Sequence, residues 1–169
     1  MSAVTEQAAM PHPRRLPVGL GVAVLLVVLD QLSKWWVVGH FMESPRPVEL
    51  TSFFNLVMVW NQGVTFGVGN DVAWGRWLFA ALALVIVAIL FSWLRRAVRL
   101  WVAVALGLVI GGAIGNVIDR LRWGAVADFL DFHAFGQHWP AFNMADSAIV
   151  VGVVLLVLDA LVGRRESLR

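Results

Sequence analysis

Four long apolar runs alternate with shorter segments that contain polar and charged residues. The runs cover approximately residues 16–40, 73–94, 98–120 and 143–163. Each run supplies the roughly 20 helical residues that are needed to cross the hydrocarbon core of a bilayer. The pattern therefore predicts an all-α membrane protein with four transmembrane helices.

Two segments between these runs have a different pattern. Residues 41–72 contain the run VELTSFFNLVMVW, which is rich in β-branched and aromatic residues and ends in the turn-like Asn61-Gln62-Gly63. This pattern predicts a small β-sheet on the extracytoplasmic face of the membrane. Residues 121–141 mix glycine, proline and aromatic residues, which we interpret as a short periplasmic loop or interfacial helix.

The composition supports a membrane location. The chain is 60% hydrophobic and only 14% charged, whereas soluble domains have about a quarter of their residues charged. Its 169 residues fit one domain, with residues 1–13 expected to form a disordered tail. Cysteine is absent, which excludes a disulfide framework and a thiolate nucleophile. The net charge of +2 with no basic run gives no reason to expect a nucleic-acid partner.

The basic residues predict the orientation of the helices. Eight of the thirteen fall on one side of a four-helix topology, and these are Arg14, Arg15, Arg95, Arg96, Arg99, Arg164, Arg165 and Arg169. The positive-inside rule makes that side cytoplasmic, with both termini inside.

Polar residues inside apolar helices usually face a partner or a cavity, because a lipid-exposed charge is costly. Asp30 and Lys34 lie four residues apart on one helix face, and they form either an ion pair or part of a substrate site. Gly107, Gly111 and Gly115 recur at every fourth residue of the third run, which favours close approach of another helix.

Three polar residues follow these glycines along one side of the third helix. Asn116, Asp119 and Arg120 are either an ordinary helix end with an interfacial anchor or a socket for a polar peptide backbone entering the bilayer edge.

Two aspartates are candidates for acid–base chemistry. Asp128 has apolar neighbours, and its alternative interpretation is an ordinary turn residue. Asn143 and Asp146 fit the N-cap and N3 positions of the fourth helix, so their alternative interpretation is a helix cap. Asp128 and Asp146 are both predicted at the same outer rim. Two carboxylates that meet in a dry site share a proton, so the pair can activate a water molecule for attack on an amide without a metal or a covalent intermediate.

Taken together, these stretches resemble the lipoprotein signal peptidases, the signal peptidase II family of bacterial membrane aspartyl proteases. The resemblance covers residues 16 to 163. The matching motifs are Asp30-Gln31-Leu32-Ser33-Lys34, Asn61-Gln62-Gly63-Val64-Thr65-Phe66-Gly67, Gly111-Gly112-Ala113-Ile114-Gly115-Asn116 with Asp119-Arg120, Val126-Ala127-Asp128-Phe129 and Phe142-Asn143-Met144-Ala145-Asp146. Val64 and Thr65 stand where small residues are frequent in the family, and Ala127 stands where valine is common.

The resemblance implies a substrate and a set of roles. The substrate is a diacylglyceryl-modified prolipoprotein that is cut before its lipidated cysteine. Asp128 and Asp146 form the catalytic dyad, with no metal and no cofactor. The binding and supporting residues are Asn116, Arg120, Asn143, Asp119, Asn61, Asp30, Lys34 and Gly112. The enzyme is expected to work as a monomer in the bacterial plasma (inner) membrane, in contact with membrane lipid, with its active site at the outer face and the sheet of residues 41–72 as a lid.

Other classes of protein explain fewer of these residues. A serine–lysine peptidase would pair Ser33 or Ser147 with Lys34, but adjacent helix residues such as Ser33 and Lys34 do not face each other. A metallopeptidase would use His133 and His138 with Asp128 and Asp131. A transporter or scaffold is disfavoured because the acids lie at one rim and not at the bilayer midplane.

Overall fold

The computed structural model describes residues 15–41, 46–63 and 74–166. The expected disordered tail, residues 1–13, lies outside the described residues. Within the described residues the elements are α1 (Arg15–Phe41), β1 (Val48–Thr51), β2 (Phe54–Asn61), α2 (Gly75–Leu94), α3 (Leu100–Trp123), β3 (Val126–Ala134), β4 (Gln137–His138) and α4 (Met144–Glu166).

The four predicted transmembrane helices are confirmed as helices that are long and apolar enough to span a membrane. A chain inside a bilayer must satisfy its backbone hydrogen bonds internally, so an apolar run of this length folds as a helix. Helix α3 is the most buried of the four, and α1, α2 and α4 all pack against it.

Glycines let the helices approach α3 on two faces. On the face toward α1, a Cβ atom at Gly111 would lie 2.7 Å from the carbonyl oxygen of Ala23. On the face toward α4, a Cβ atom at Gly112 would lie 2.5 Å from the carbonyl oxygen of Ala145. The predicted close approach is therefore confirmed, and Gly112 has a packing role between two helices.

Replacing Gly111 by alanine tests this packing. We expect Gly111→Ala to destabilise the protein by about 1–3 kcal/mol, because the added methyl group meets helix backbone that cannot move aside cheaply. Gly21→Ala is the matched control, since a Cβ atom at Gly21 meets nothing within 4 Å and alanine favours a helix by about 1 kcal/mol over glycine. Thermal unfolding in detergent measures both effects, and equal melting temperatures for the two variants would contradict the prediction.

The strands between the helices form one antiparallel sheet in the order β1-β2-β3-β4. The sheet predicted within residues 41–72 is present as β1 and β2. The interpretation of residues 121–141 as a loop or short helix is wrong, because β3 pairs with β2 from Phe54↔Phe132 to Asn61↔Val126. Residues 125–129 of this strand region are all buried, so the alternation typical of a half-exposed strand is missing from the sequence.

Candidate active site

Asp128 and Asp146 come together where the sheet meets the start of α4. Asp128 lies in β3 and not in a turn, and its side chain is only 1% exposed. The side-chain Nδ2 of Asn143 donates a hydrogen bond to Asp128 Oδ1 (2.7 Å), and the backbone N–H of Asn143 donates to Asp146 Oδ2 (3.2 Å). One asparagine therefore holds both carboxylates.

Asn143 and Asp146 also form a reciprocal helix cap. Asn143 Oδ1 accepts a hydrogen bond from the backbone N–H of Asp146 at 2.9 Å, while Asp146 Oδ2 accepts the bond from the backbone N–H of Asn143. This is the geometry of a capping box. The capping interpretation is thus confirmed, and Asp146 still has its Oδ1 atom facing Asn116, whose Nδ2 donates to it at 2.8 Å.

Three asparagine amides are oriented so that each presents its NH₂ group to a carboxylate. Asn61 Nδ2 donates to Asp128 Oδ2 at 2.9 Å, and its Oδ1 is occupied by the backbone N–H of Gly63 at 2.8 Å. Asn143 and Asn116 follow the same rule, with their Oδ1 atoms accepting bonds from the Asp146 backbone and from Lys34 Nζ. Because an amide has one donor end and one acceptor end, occupying the acceptor fixes which end faces the site.

The surroundings of Asp128 favour its protonated form. Burial raises the pKa of Asp128 to about 6, and the neighbouring negative charge of Asp146 acts in the same direction. The hydrogen bonds from Asn61 and Asn143, and the positive charge of Lys34, partly offset this rise. A carboxyl group with a pKa near 6 can exchange a proton near neutral pH.

Lys34 is the centre of a buried ion network behind the two carboxylates. Its Nζ lies 2.9 Å from Asp30 Oδ2 and 2.7 Å from Asp119 Oδ2, and all three side chains are fully buried. The same nitrogen donates to Asn116 Oδ1 at 3.0 Å. The ion pair between Asp30 and Lys34 is therefore present, and Asp119 is a third member of the same network. The network contacts the two carboxylates through Asn116.

The two acids of this network tie other elements to α1 and α3. Asp30 Oδ1 accepts a hydrogen bond from the backbone N–H of Ala145 at the start of α4 (3.0 Å). Asp119 Oδ2 accepts one from the backbone N–H of Ala127 in β3 (3.3 Å). Each acid thus holds the residue next to one of the two carboxylates, which sets the position of Asp146 and Asp128.

Two residues that the sequence motifs include, Gln31 and Gly63, were given no role in the site from the sequence. Gln31 Nε2 donates to Asp119 Oδ1 at 2.9 Å and lies 3.2 Å from Asp30 Oδ2, so it bridges both acids. Gly63 has a left-handed φ of +90° and orients Asn61. The position of Gln31, a polar residue inside an apolar helix, could have indicated its role. The Asn61-Gln62-Gly63 turn could have indicated the role of Gly63.

Arg120 brings a buried donor to the site. Its Nη1 donates to the backbone oxygen of Asn116 (3.2 Å), and its guanidinium carbon lies 5.7 Å from the centre of the Phe79 ring. The Nε atom of Arg120 is buried and has no hydrogen-bond partner within the described residues. A buried N–H without a partner is costly, so this atom is a candidate donor to a bound ligand.

The residues of the serine–lysine alternative do not assemble. Ser33 Oγ donates to the backbone oxygen of Asp30 (2.8 Å), and Ser147 Oγ donates to that of Asn143 (2.9 Å). Lys34 is instead held by two carboxylates, so it cannot serve as the base for either serine.

His133 and His138, the two histidines of the metallopeptidase alternative, lie in a separate cluster further along the sheet. His138 Nδ1 is 2.9 Å from Asp131 Oδ2, and His133 Nε2 is 3.3 Å from Asn55 Oδ1. Asn55 Nδ2 donates to Asp131 at 3.0 Å. Among the residues that the structure describes, no three His, Asp or Glu side chains are grouped as metal ligands. The four residues of the metallopeptidase alternative therefore do not form one site.

Four membrane-length helices capped by a small sheet, with paired carboxylates at their junction, define a multi-pass membrane protein with a candidate hydrolytic site. The fold is similar to that of a bacterial membrane enzyme solved by the in meso method at 1.9 Å resolution, with a TM-score of 0.76 and 30% sequence identity over 86% of this chain and 93% of that one. A second such structure, at 2.3 Å, gives a TM-score of 0.73.

The chain belongs to the signal peptidase II family, because the family profile described as Signal peptidase (SPase) II matches residues 22–162. It is 49% identical to the lipoprotein signal peptidase of Aeromonas hydrophila, over 83% of this chain and 86% of the relative. It is 48% identical to the lipoprotein signal peptidase of Burkholderia vietnamiensis, over 94% of this chain and 96% of the relative. Membership in this family makes the chain an aspartic-type peptidase.

Proposed function

We propose that this chain removes the signal peptide from diacylglyceryl-modified prolipoproteins by cutting before the lipidated cysteine. Family membership and relatives named lipoprotein signal peptidases support this function. The observation that carries the proposal is the junction of Asp128 and Asp146 through Asn143, where β3 meets the start of α4.

In the proposed reaction a water molecule is held between the two carboxyl groups. Asp146 takes a proton from the water molecule while the water oxygen attacks the scissile carbonyl carbon. Asp128 gives its proton to the carbonyl oxygen. Asp146 stands at a helix N-terminus, where the dipole favours negative charge, and the raised pKa of Asp128 suits a proton donor. Each proton belongs to the pair, because the two groups are coupled.

The proposed intermediate collapses by the reverse transfers. A hydroxyl of the tetrahedral carbon returns its proton to Asp128, and Asp146 delivers its own proton to the amine nitrogen of the departing cysteine. The carbon–nitrogen bond then breaks, and both carboxyl groups recover their starting states. No metal, cofactor or covalent intermediate takes part.

The remaining polar residues divide into substrate-binding and supporting groups in this proposal. The Nε–H of Arg120 donates a hydrogen bond to a carbonyl of the substrate backbone, because it is buried without a partner among the described residues. Asn116, Asn143 and Asn61 bind and orient the carboxylates through their amides. The supporting residues behind them are Asp30, Lys34, Asp119 and Gly112.

The proposed setting is the bacterial plasma membrane. The arginine-rich helix ends lie on the cytoplasmic side, which puts both termini inside and the carboxylates at the outer face. The substrate enters sideways so that its acyl chains stay in the lipid, and β1 and β2 cover the site as a lid. The proposed active unit is a monomer.

Cleavage of a defined substrate tests the function. Purified protein in detergent is incubated with a diacylglyceryl-modified prolipoprotein in the presence of EDTA. We expect mass spectrometry to show one cut, before the lipidated cysteine, while the same prolipoprotein without the lipid stays uncut. Equal cutting of both substrates would contradict the assignment, and loss of activity in EDTA would contradict the metal-free reaction.

The pH dependence of cleavage follows from Asp128. Its pKa of about 6 lies above the ordinary value of about 3.9, so the reactive proton is present below pH 6 and is lost above it. We expect kcat/KM to fall on the alkaline side by about tenfold for each pH unit above a midpoint near 6. A pH profile of kcat/KM, measured at substrate concentrations well below KM so that it reports the free enzyme, gives this midpoint.

Asn61 provides a check on which group titrates. Its hydrogen bond stabilises the ionised form of Asp128, so Asn61→Ala should move the alkaline midpoint to higher pH. Asn55→Ala is the matched control, because Asn55 also lies on β2 but donates to Asp131. A midpoint that moves equally in both variants would show that the titrating group is not Asp128.

A further inference from the structure

A largely apolar cavity that is also lined by two arginines lies at the opposite end of the helices from the paired carboxylates. It has a volume of about 700 Å³ and its lining includes Arg15 of α1, Arg99 just before α3, Trp101 and Val104 in the first turns of α3, and Leu155 of α4. The cavity is separate from the proposed active site, and no step of the proposed reaction uses it. Its lining combines two arginines with apolar walls at a membrane interface.

Arg15 is held in place at the rim of this cavity. Its Nε donates a hydrogen bond of 3.1 Å to the backbone oxygen of Val98, which joins the first turn of α1 to the segment between α2 and α3. This bond uses one of the five N–H donors of a guanidinium group. The bond places the Arg15 side chain beside the cavity that it lines.

The charge around the cavity favours an anion. Arg99 Nη1 contacts Asp159 Oδ1 at 2.7 Å, so Asp159 offsets part of the positive charge. Arg95 and Arg96 are exposed at the same end of the helices, which keeps the region basic. Arginine binds phosphate oxygens through paired N–H donors, and basic residues near a membrane surface attract anionic lipids.

We infer that this cavity binds the headgroup of an anionic phospholipid from the surrounding membrane. The phosphate lies between Arg15 and Arg99, Trp101 lies at the level of the headgroup as interfacial tryptophans do, and the acyl chains run along Val104 and Leu155. A water-soluble phosphate has no use for the apolar walls, whereas a phospholipid uses both parts of the cavity. The inference is independent of the proposed peptidase activity.

Lipid titration of the purified protein tests the inference. Delipidated protein in detergent is titrated with phosphatidylglycerol and with phosphatidylcholine of the same acyl chains, and binding is read by native mass spectrometry. We expect a clear preference for phosphatidylglycerol in the wild type. The double variant Arg15→Gln/Arg99→Gln should weaken phosphatidylglycerol binding by about tenfold or more.

Two further variants separate the cavity from general surface charge. Arg95→Gln/Arg96→Gln removes the same charge from the same end of the helices but leaves the cavity lining intact, so it should keep the preference. Asp159→Asn keeps both cavity arginines and removes an acid, so it should bind phosphatidylglycerol at least as tightly as the wild type. Equal losses in the two double variants, or competition by inorganic phosphate as effective as that by the lipid, would overturn the inference.

Discussion

Asp128→Asn and Asp146→Asn are each expected to lower kcat by about a thousandfold or more, the range for loss of an acid–base group that acts as part of a unit. Asparagine keeps the size of aspartate but can neither take a proton from water nor give one to the leaving amine. The two carboxyl groups act in the same proton transfers and are joined by hydrogen bonds to Asn143. The double variant should therefore be about as slow as either single variant. Initial rates with the lipidated prolipoprotein measure all three.

Asp131→Asn is the matched control for this prediction. Asp131 lies on the same strand, is also buried and also accepts a hydrogen bond from a β2 asparagine, in its case Asn55. Burial would raise the pKa of Asp131, but hydrogen bonds from Asn55 and His138 and the histidine charges hold it below its ordinary value. We expect near-normal activity in Asp131→Asn. Substantial activity in a folded Asp146→Asn variant would mean that Asp146 acts only as a helix cap.

Lys34→Met is expected to give the largest loss of stability, about 3–5 kcal/mol. Removing one partner of a buried ion network leaves uncompensated charge in the interior, and here Asp30 and Asp119 would face each other without the ammonium group between them. The change also removes the donor that orients Asn116, so activity should fall together with stability. Unfolding in mixed micelles, followed by circular dichroism, measures the loss.

Neutralising the two acids separates charge from packing. The triple variant Lys34→Met/Asp30→Asn/Asp119→Asn has no buried charge in this network, so it should recover a large part of the stability lost in Lys34→Met. Its activity should remain low, because Asn116 still lacks the donor that orients its amide. Full stability of the single Lys34→Met variant would contradict the view that this network holds the helices and β3 together.

The helices and the cap of α4 were predictable from local sequence. An apolar run of about 20 residues has one stable form in a bilayer, because its backbone groups find no other partners there. The cap joins Asn143 to Asp146, three residues apart, so its hydrogen bonds depend on one helical turn. The glycine spacing in α3 similarly predicted a close helix contact, since small residues on one face need only a neighbour to fill the space.

Strand β3 and the partners of its aspartates were decided by the tertiary structure. Asp128 is separated from Asn61 by 67 residues, and no local rule selects that pair. Residues 125–129 are all buried, so they lack the alternation of apolar and polar residues that marks a half-exposed strand. The ion network has the same origin, because Lys34 contacts Asn116 across 82 residues and Ala145 meets Asp30 across 115.

Hydropathy and the spacing within one helical turn are local properties. The four helices, the cap on α4 and the set of polar residues at one rim could therefore be predicted from the sequence. The folded chain was needed to show that Asp128 lies in a strand, that Lys34 supports the site through Asn116, and that Gly112 packs between helices. These features depend on contacts between distant segments. Buried polar groups pair across them at Asp128 and Lys34, whereas at Gly112 the missing side chain allows the helices to approach closely.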